Sequence, residues 1–314
     1  MATNIPVSFV KQFSSNIYHL SQQAGSRLRP YVQMKSLNAE AGFYDRLDQT
    51  EVYEKIGRNS DTEQVDMIYS RRRVSMTDYA WSTLVDKEDK LRLIHSPESE
   101  YTQSAMYAFG RKIDEIIISS ALNPAWTGKD GNTPVALPTS QQIAAVDAGA
   151  LDGLNIETLR QVRLQFWENE SIMSNDEELI FACYSSDLMN MLRQTEVTNA
   201  DYNTVRALAQ GTVDDFMGFK FVRLELLPKV ETGGVIAFDP ATGEIGSGGS
   251  FLPAGTKRNF AMVNQSLIMG MGTDVMSRIS ERDDKHYANQ VYASMSLGGT
   301  RMEEKKVMEV FTKG

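Results

Sequence analysis

Residues 95–124, HSPESEYTQSAMYAFGRKIDEIIISSALNP, constrain the fold more than any other stretch of the chain. Ser96 stands at the position of an N-cap, where a hydroxyl accepts from the free amides of the first turn. Pro97 follows at the first helical position, which has no use for an N–H. Glu98 and Glu100 put carboxylates at the positive end of the helix dipole. Tyr101, Ala105, Phe109, Ile113, Ile116, Ile117 and Ala121 then recur at spacings of three and four and trace one apolar stripe. Asn123 and Pro124 stop the pattern. At 1.5 Å per residue the helix is about 38 Å long, a spine along which the remaining elements must pack.

The segments before it cannot form domains of their own. Residues 1–40 are polar, rich in Ser and Gln and broken by SRLRPY, so they read as an arm lying either on its own domain or on a neighbouring copy. From Gly42 to Leu93, VDMIYSRRRVSMTDYAWSTLVDKEDKLRLI is dense in β-branched and aromatic residues, with charges at short intervals. That pattern predicts a long two-stranded excursion solvated on one side and broken at Asp86–Asp89, with too few apolar side chains for a separate core.

Beyond the spine, Trp126–Gly153 reads as a loop, punctuated by Pro and Gly, and a second amphipathic helix begins near Asn155 in NIETLRQVRLQFWENE. EELIFACYSS predicts a buried strand, and SDLMNMLRQ and DYNTVRALAQG predict two short helices, the second ending at Gly211. In GFKFVRLELLP, Phe219 and Phe221 point one way and Lys220, Val222, Leu224 and Leu226 the other. A strand apolar on both faces belongs inside a sheet, with Gly218 easing its start and Pro228 barring its continuation. DPATGEIGSGGSFLPAGTKRN reads as a mobile surface loop. FAMVNQSLIMGMG, DVMSRISER, QVYASMSLGG and KKVMEVFTK predict closing strands. The fold class is therefore α+β.

The search for reactive chemistry is negative in an informative way. The chain has no phosphate loop, HExxH pair, nucleophile elbow or dinucleotide fingerprint, and GSGGS at Gly246–Ser250 lacks the lysine and the strand-to-helix setting of a phosphate cradle. His19, His95 and His286 fall in unrelated segments; ERDDKH at Glu281–His286 reads as a solvated turn rather than a metal cluster. Cys183, the sole cysteine, sits among Ile180, Phe181, Ala182 and Tyr184 as a small core residue with no activator beside it. Arg71–Arg73 cannot form one patch on a strand, because successive residues face opposite ways. Arg71 and Arg73 share a face that either meets a neighbour's acids or is simply solvated. No catalytic, cofactor-binding or metal residue is nominated, and no cofactor is expected.

Composition narrows the class further. A 41% apolar fraction over 314 residues furnishes a real core, while 41 acidic against 32 basic residues disfavour a dedicated nucleic-acid binder. A single cysteine excludes an internal disulfide and points to a reducing interior, and the sequence offers neither a signal peptide nor a membrane span.

The order of these pieces resembles the major capsid proteins of tailed phages, with the Hong Kong 97-type fold. The likeness rests on SPESEYTQSAMYAFGRKIDEIIISSAL for the spine helix, on CYSSDLMNMLRQTEVTNADYNTVRALAQGTVDDFMGFKFVRLELLP for two helices and a glycine-led strand, and on SMSLGGTRMEEKKVMEVF for the last turn and strand. It implies an N-terminal arm at 1–43, an extended β-loop at 44–94, a peripheral domain of 95–150 and 290–314, and an axial domain of 151–289. It further implies hexamers and pentamers on an icosahedral shell around double-stranded DNA, formed in the host cytoplasm without catalysis. A portal, a cement protein and a separate scaffolding protein are the expected partners, the last because many relatives carry a cleaved scaffolding segment and this chain begins close to its arm. An encapsulin-like nanocompartment shell and a soluble α+β enzyme are the alternatives.

Overall fold

The computed structural model describes residues 22–55, 57–58, 61, 64–85, 98–172, 177–193, 215–233, 236–246 and 250–314. Along the chain run β1 (Gln33–Ser36), β2 (Ala41–Leu47), β3 (Tyr69–Ser75), β4 (Thr77–Val85) and the spine helix α1 (Glu98–Leu122). Short strands β5 (Ala125–Thr127), β6 (Thr133–Val135), β7 (Gln142–Ala144), β8 (Val146–Asp147) and β9 (Ala150–Leu151) lead to α2 (Ile156–Glu168), β10 (Leu179–Cys183) and α3 (Ser185–Leu192). The chain closes with β11 (Asp215–Phe216), β12 (Phe219–Arg223), β13 (Ala237–Phe238), β14 (Ser250–Phe251), β15 (Lys257–Val263), β16 (Leu267–Arg282), β17 (Ala288–Arg301) and β18 (Val307–Thr312).

The centre is a six-stranded mixed sheet of order β11-β12-β10-β15-β18-β7, held between two helices. Period-two alternation divides its side chains between two cores. Ile180, Ala182, Val222, Leu224, Phe260, Met262 and Val307 meet Phe109, Ile113 and Ile117 of α1. Phe181, Phe219, Phe221, Ala261, Val263 and Val310 meet Leu159, Val162 and Phe166 of α2. Every residue of β10 is buried for this reason, and β12 has the two apolar faces expected of it. Met217 (φ 53°) and Gly218 (φ 79°) join β11 to β12 as a two-residue turn with both residues left-handed, so Gly218 supplies the backbone freedom at the start of that strand.

The spine helix has the expected extent and ends at Asn123; Ser96 and Pro97 lie outside the described residues. Its buried stripe is rotated slightly from the predicted one. Ile118 is buried, Ile116 only partly, and Tyr101 is exposed; β17, β16 and β4 pack against the helix. The second helix starts where predicted: Asn155 caps it, its side-chain oxygen accepting from the Thr158 amide at 2.7 Å. The short helix read at DYNTVRALAQG lies outside the described residues, as does its end at Gly211.

Four local expectations change. β3 and β4 do not pair with each other: β3 lies between β2 and β5, whereas β4 joins β17, more than 200 positions later. The loop at Trp126–Gly153 contains β5–β9, each too short to show a periodicity. The glycine-rich stretch read as a mobile loop is partly ordered around its own core of Val230, Phe238, Ile245 and Leu252, with Ala144 and Phe311 from the main sheet. The predicted strand FAMVNQSLIMGMG divides between β15 and β16, and β16 runs on through DVMSRISER as one 16-residue strand that forms a long hairpin with β17.

The described part of the arm lies on its own spine helix. Asp114, fully buried, accepts from the side chains of Gln23 and Ser26, from the Arg27 amide at 3.0 Å and from the Leu28 amide at 3.1 Å. The approach is close enough to require glycine at Gly110, where a Cβ would stand 2.5 Å from the Gly25 carbonyl carbon. Asp114→Ala leaves the buried Leu28 amide without its acceptor. The expected cost is about 1–3 kcal/mol, with new protease cleavage near residues 22–28 in limited digestion. A digestion pattern unchanged from wild type would refute this anchoring role.

Candidate functional site

The residues with reactive potential are dispersed. Cys183 is buried in the β10 core, and burial, reinforced by Asp187 and Glu225, pushes its thiol well above the ordinary range, so it is protonated and inert. His286 occupies a left-handed position in the turn between β16 and β17, and that turn is solvated as expected. His19 and His95 lie outside the described residues. Among the described residues no group of His, Cys, Asp and Glu could hold a metal ion, and no helix is long and apolar enough to cross a membrane. A cleft of about 810 Å³ at the start of α2 is lined by Asp147, Asp152, Glu157 and Arg160 beside the engaged cap Asn155. It opens to solvent and holds no nucleophile with a base beside it.

The arginine run is built into the frame. Arg71 pairs with Asp45 across the β2–β3 hairpin at 2.6 Å, on the surface. Arg73 packs against Gly131 and reaches Asn132. Arg72 turns inward and is fully buried; its guanidinium pairs with Glu304, which also receives Arg46 at 3.4 Å. Beside them Arg301, also fully buried, donates to the carbonyls of Ala121 at 2.7 Å, Asn123 at 2.6 Å and Val135 at 3.2 Å. A cation thereby satisfies the free carbonyls at the negative end of the spine helix. Burial pulls the pKa values of Arg72 and Arg301 down, and Glu304 opposes that in both. One cluster thus joins the β2–β3 hairpin, the end of the spine helix and the β17–β18 turn.

A solvated strand does not describe Arg72. The clue was local: at period two it shares a face with Val74, which is also fully buried. Nothing near Arg301 or Glu304 in the sequence marks them as its neighbours.

Several of the exposed apolar side chains gather on one excursion. The segment joining β2 to β3 carries Leu47, Val52, Tyr53, Val65, Met67, Ile68 and Tyr69 in solvent, Val52 at 98% of its full exposure. Residues 48–68 hold six acidic side chains against two basic ones. Single exposed apolar residues are ordinary, but a group of seven on one excursion marks a surface that another molecule covers.

A projecting group of uncovered apolar side chains suits a subunit of an assembly, and the comparisons with known proteins point to one kind of assembly. The sequence profile of the family described as phage capsid protein matches residues 5–313. The chain belongs to the phage capsid protein family. Its structure is similar to the capsid of the cyanophage P-SCSP1u, with a TM-score of 0.71 at 13% identity over 98% of this chain and 94% of that one. It is similar to the capsid of Ralstonia phage GP4, with a TM-score of 0.70 at 11% identity over 100% and 97%. A third likeness, to the capsid of Helicobacter pylori bacteriophage KHP30, has a TM-score of 0.68 at 10% identity over 100% and 99%. No curated protein sequence matches. The α+β architecture is the Hong Kong 97-type capsid fold, and the role is that of a major capsid protein, a structural component of the virion shell that associates with copies of itself.

Proposed function

We propose that this capsid protein forms, through hexamers and pentamers, an icosahedral shell around the double-stranded DNA of a tailed phage, without catalysing a reaction. The observation that carries this reading is the β2–β3 excursion: its exposed apolar side chains have no cover among the described residues, and its charge is in acidic surplus. A neighbouring copy would bury them, and repeated heterologous contacts of that kind close into rings and cages. In this reading residues 1–43 are the arm, 44–94 the extended loop, 95–150 with 290–314 the peripheral domain, and 151–289 the axial domain. A separate scaffolding protein, a portal and a cement protein are the partners, and assembly takes place in the host cytoplasm. The net charge of −9 suits a container that meets DNA only along its inner surface.

Co-expressed with the structural genes beside its own, the protein is expected to appear in electron micrographs as closed shells, with capsomers on size exclusion. A clean monomer under those conditions overturns the reading. Shells filled with protein cargo instead of nucleic acid would transfer it to the nanocompartment class.

A further inference from the structure

The β16–β17 hairpin has an edge that no strand of the described residues fully covers. β17 pairs along the inner side of β16 to its end, but on the outer side β1 covers only Ile268–Met271. From Gly272 to Arg282 no strand of the described residues lies alongside, and nearly every residue there is exposed. A row of backbone donors and acceptors of this length is a ready template for another strand.

We propose that this edge is a two-fold interface between capsid subunits, at which β16 of a second copy pairs antiparallel with it about an axis at Ile279. The proposal rests on the shell reading above and names one of its contacts.

The chain cannot cover the edge by extending β1. The residues before β1 are held on the spine helix through Asp114, and those after it turn away into β2 once the Leu37 amide has bonded to the Met271 carbonyl. No described segment of the chain completes the edge, and the sequence of the edge favours a second copy as its partner. The β16–β17 register is irregular between Met271 and Met276, then regular from Met276 opposite Ser294 to Arg282 opposite Ala288. Those seven regular residues have Ile279 at their midpoint. With the axis there, Met276 faces Arg282, Ser277 faces Glu281, Arg278 faces Ser280, and Ile279 faces itself.

Moving the axis one residue either way fails on charge. Centred at Arg278 it sets that arginine against its own copy, and centred at Ser280 it sets Arg278 against Arg282. Like charges directly opposite destabilise a strand pair. The Ile279 register also continues an apolar row: Ile279, half exposed, lies in register with buried Val291, and the axis would place a second Ile279 and Val291 beyond it. Met276, 63% exposed, would cover the aliphatic stem of Arg282, whose head group is occupied by Asp284 at 2.8 Å. The two four-stranded sheets, each of order β1-β16-β17-β4, would join into one continuous sheet.

Cysteine crosslinking in assembled shells tests the register. Facing residues of an antiparallel pair have Cα atoms about 4.5–5.5 Å apart, inside the span of a disulfide. The native thiol, Cys183, is buried and gives no background. Ile279→Cys is expected to convert most of the shell protein to covalent dimer on mild oxidation, while Ser277→Cys and Arg278→Cys alone do not. The double variant Met276→Cys with Arg282→Cys is expected to crosslink as well, and it decides the matter should Ile279→Cys fail to assemble. Intact shells without these dimers, or shells in which Arg278→Cys crosslinks as readily, overturn the interface. Absence of any particle from the wild-type chain refutes the shell reading instead, before oxidant is added. The same crosslink is then read on the soluble chain, where its absence overturns the interface too.

Discussion

Glu304→Ala is expected to destabilise the folded subunit by about 3–5 kcal/mol, read as a fall in the urea midpoint with little change in slope. The carboxylate pairs with the fully buried Arg72 and with Arg46, and it is itself only 14% exposed. Removing it leaves Arg72 a buried cation held by one long contact to the Met302 carbonyl at 3.5 Å. An arginine cannot escape by losing its proton, so the full penalty of an uncompensated charge stays in the folded state. The second half of the experiment separates charge from packing. Adding Arg72→Met to Glu304→Ala removes the stranded cation and is expected to recover more than half of the lost stability. A loss under about 1 kcal/mol for Glu304→Ala, or a double variant no better than the single, would show that the cluster is solvated and does not tie the hairpin to the spine helix.

Phe181→Ala should have an effect of similar size for an unrelated reason. Phe181 lies in the middle of β10, with no exposed surface, and its ring stands edge-on to Phe219 at 6.0 Å and tilted to Phe221 at 5.6 Å. The site is closed by α2 on one side and by the sheet backbone on the other, so it can collapse only a little when the ring is lost. A buried phenylalanine removed from such a setting costs about 3–5 kcal/mol. Trp167→Ala is the matched control: that ring, on α2, is 55% exposed and touches Arg163, and its loss is expected to stay within about 0.5 kcal/mol. Equal losses for the two variants would mean that the α2 face is not a packed core.

The spine helix, α2, α3, β10 and β12 could all be read from the chain, because each carries its evidence within ten to twenty-five residues. Tyr101 to Ala121 repeat at the helical period, Asn155 is a cap before an amphipathic run, and Phe219 to Leu224 are apolar at both parities. Where the reading missed, the deciding contact was distant. β4 resembles a partner for β3 because the two are adjacent in sequence, yet its ladder is with β17. The stretch from Asp239 to Asn259 looks mobile by its glycines, yet its Ile245 and Leu252 join Phe238 in a small core against Ala144 and Phe311. Arg72 was legible as an inward-facing residue through Val74, but its partner lies 232 positions away.

The sequence by itself determined the long helices and the buried strands β10 and β12, which of their faces are apolar, and that no catalytic constellation is spelled out along the chain. These properties follow from side-chain periodicity and capping, which act between residues a few positions apart. Tertiary structure alone decided which strands pair, where the buried arginines find their counter-charges, and which edge of β16 is left open. Backbone hydrogen bonds are the same for every residue, so a ladder carries no label for its partner. Only the packing of the whole subunit around the spine helix settles whose edge meets whose, and which edge remains for another copy.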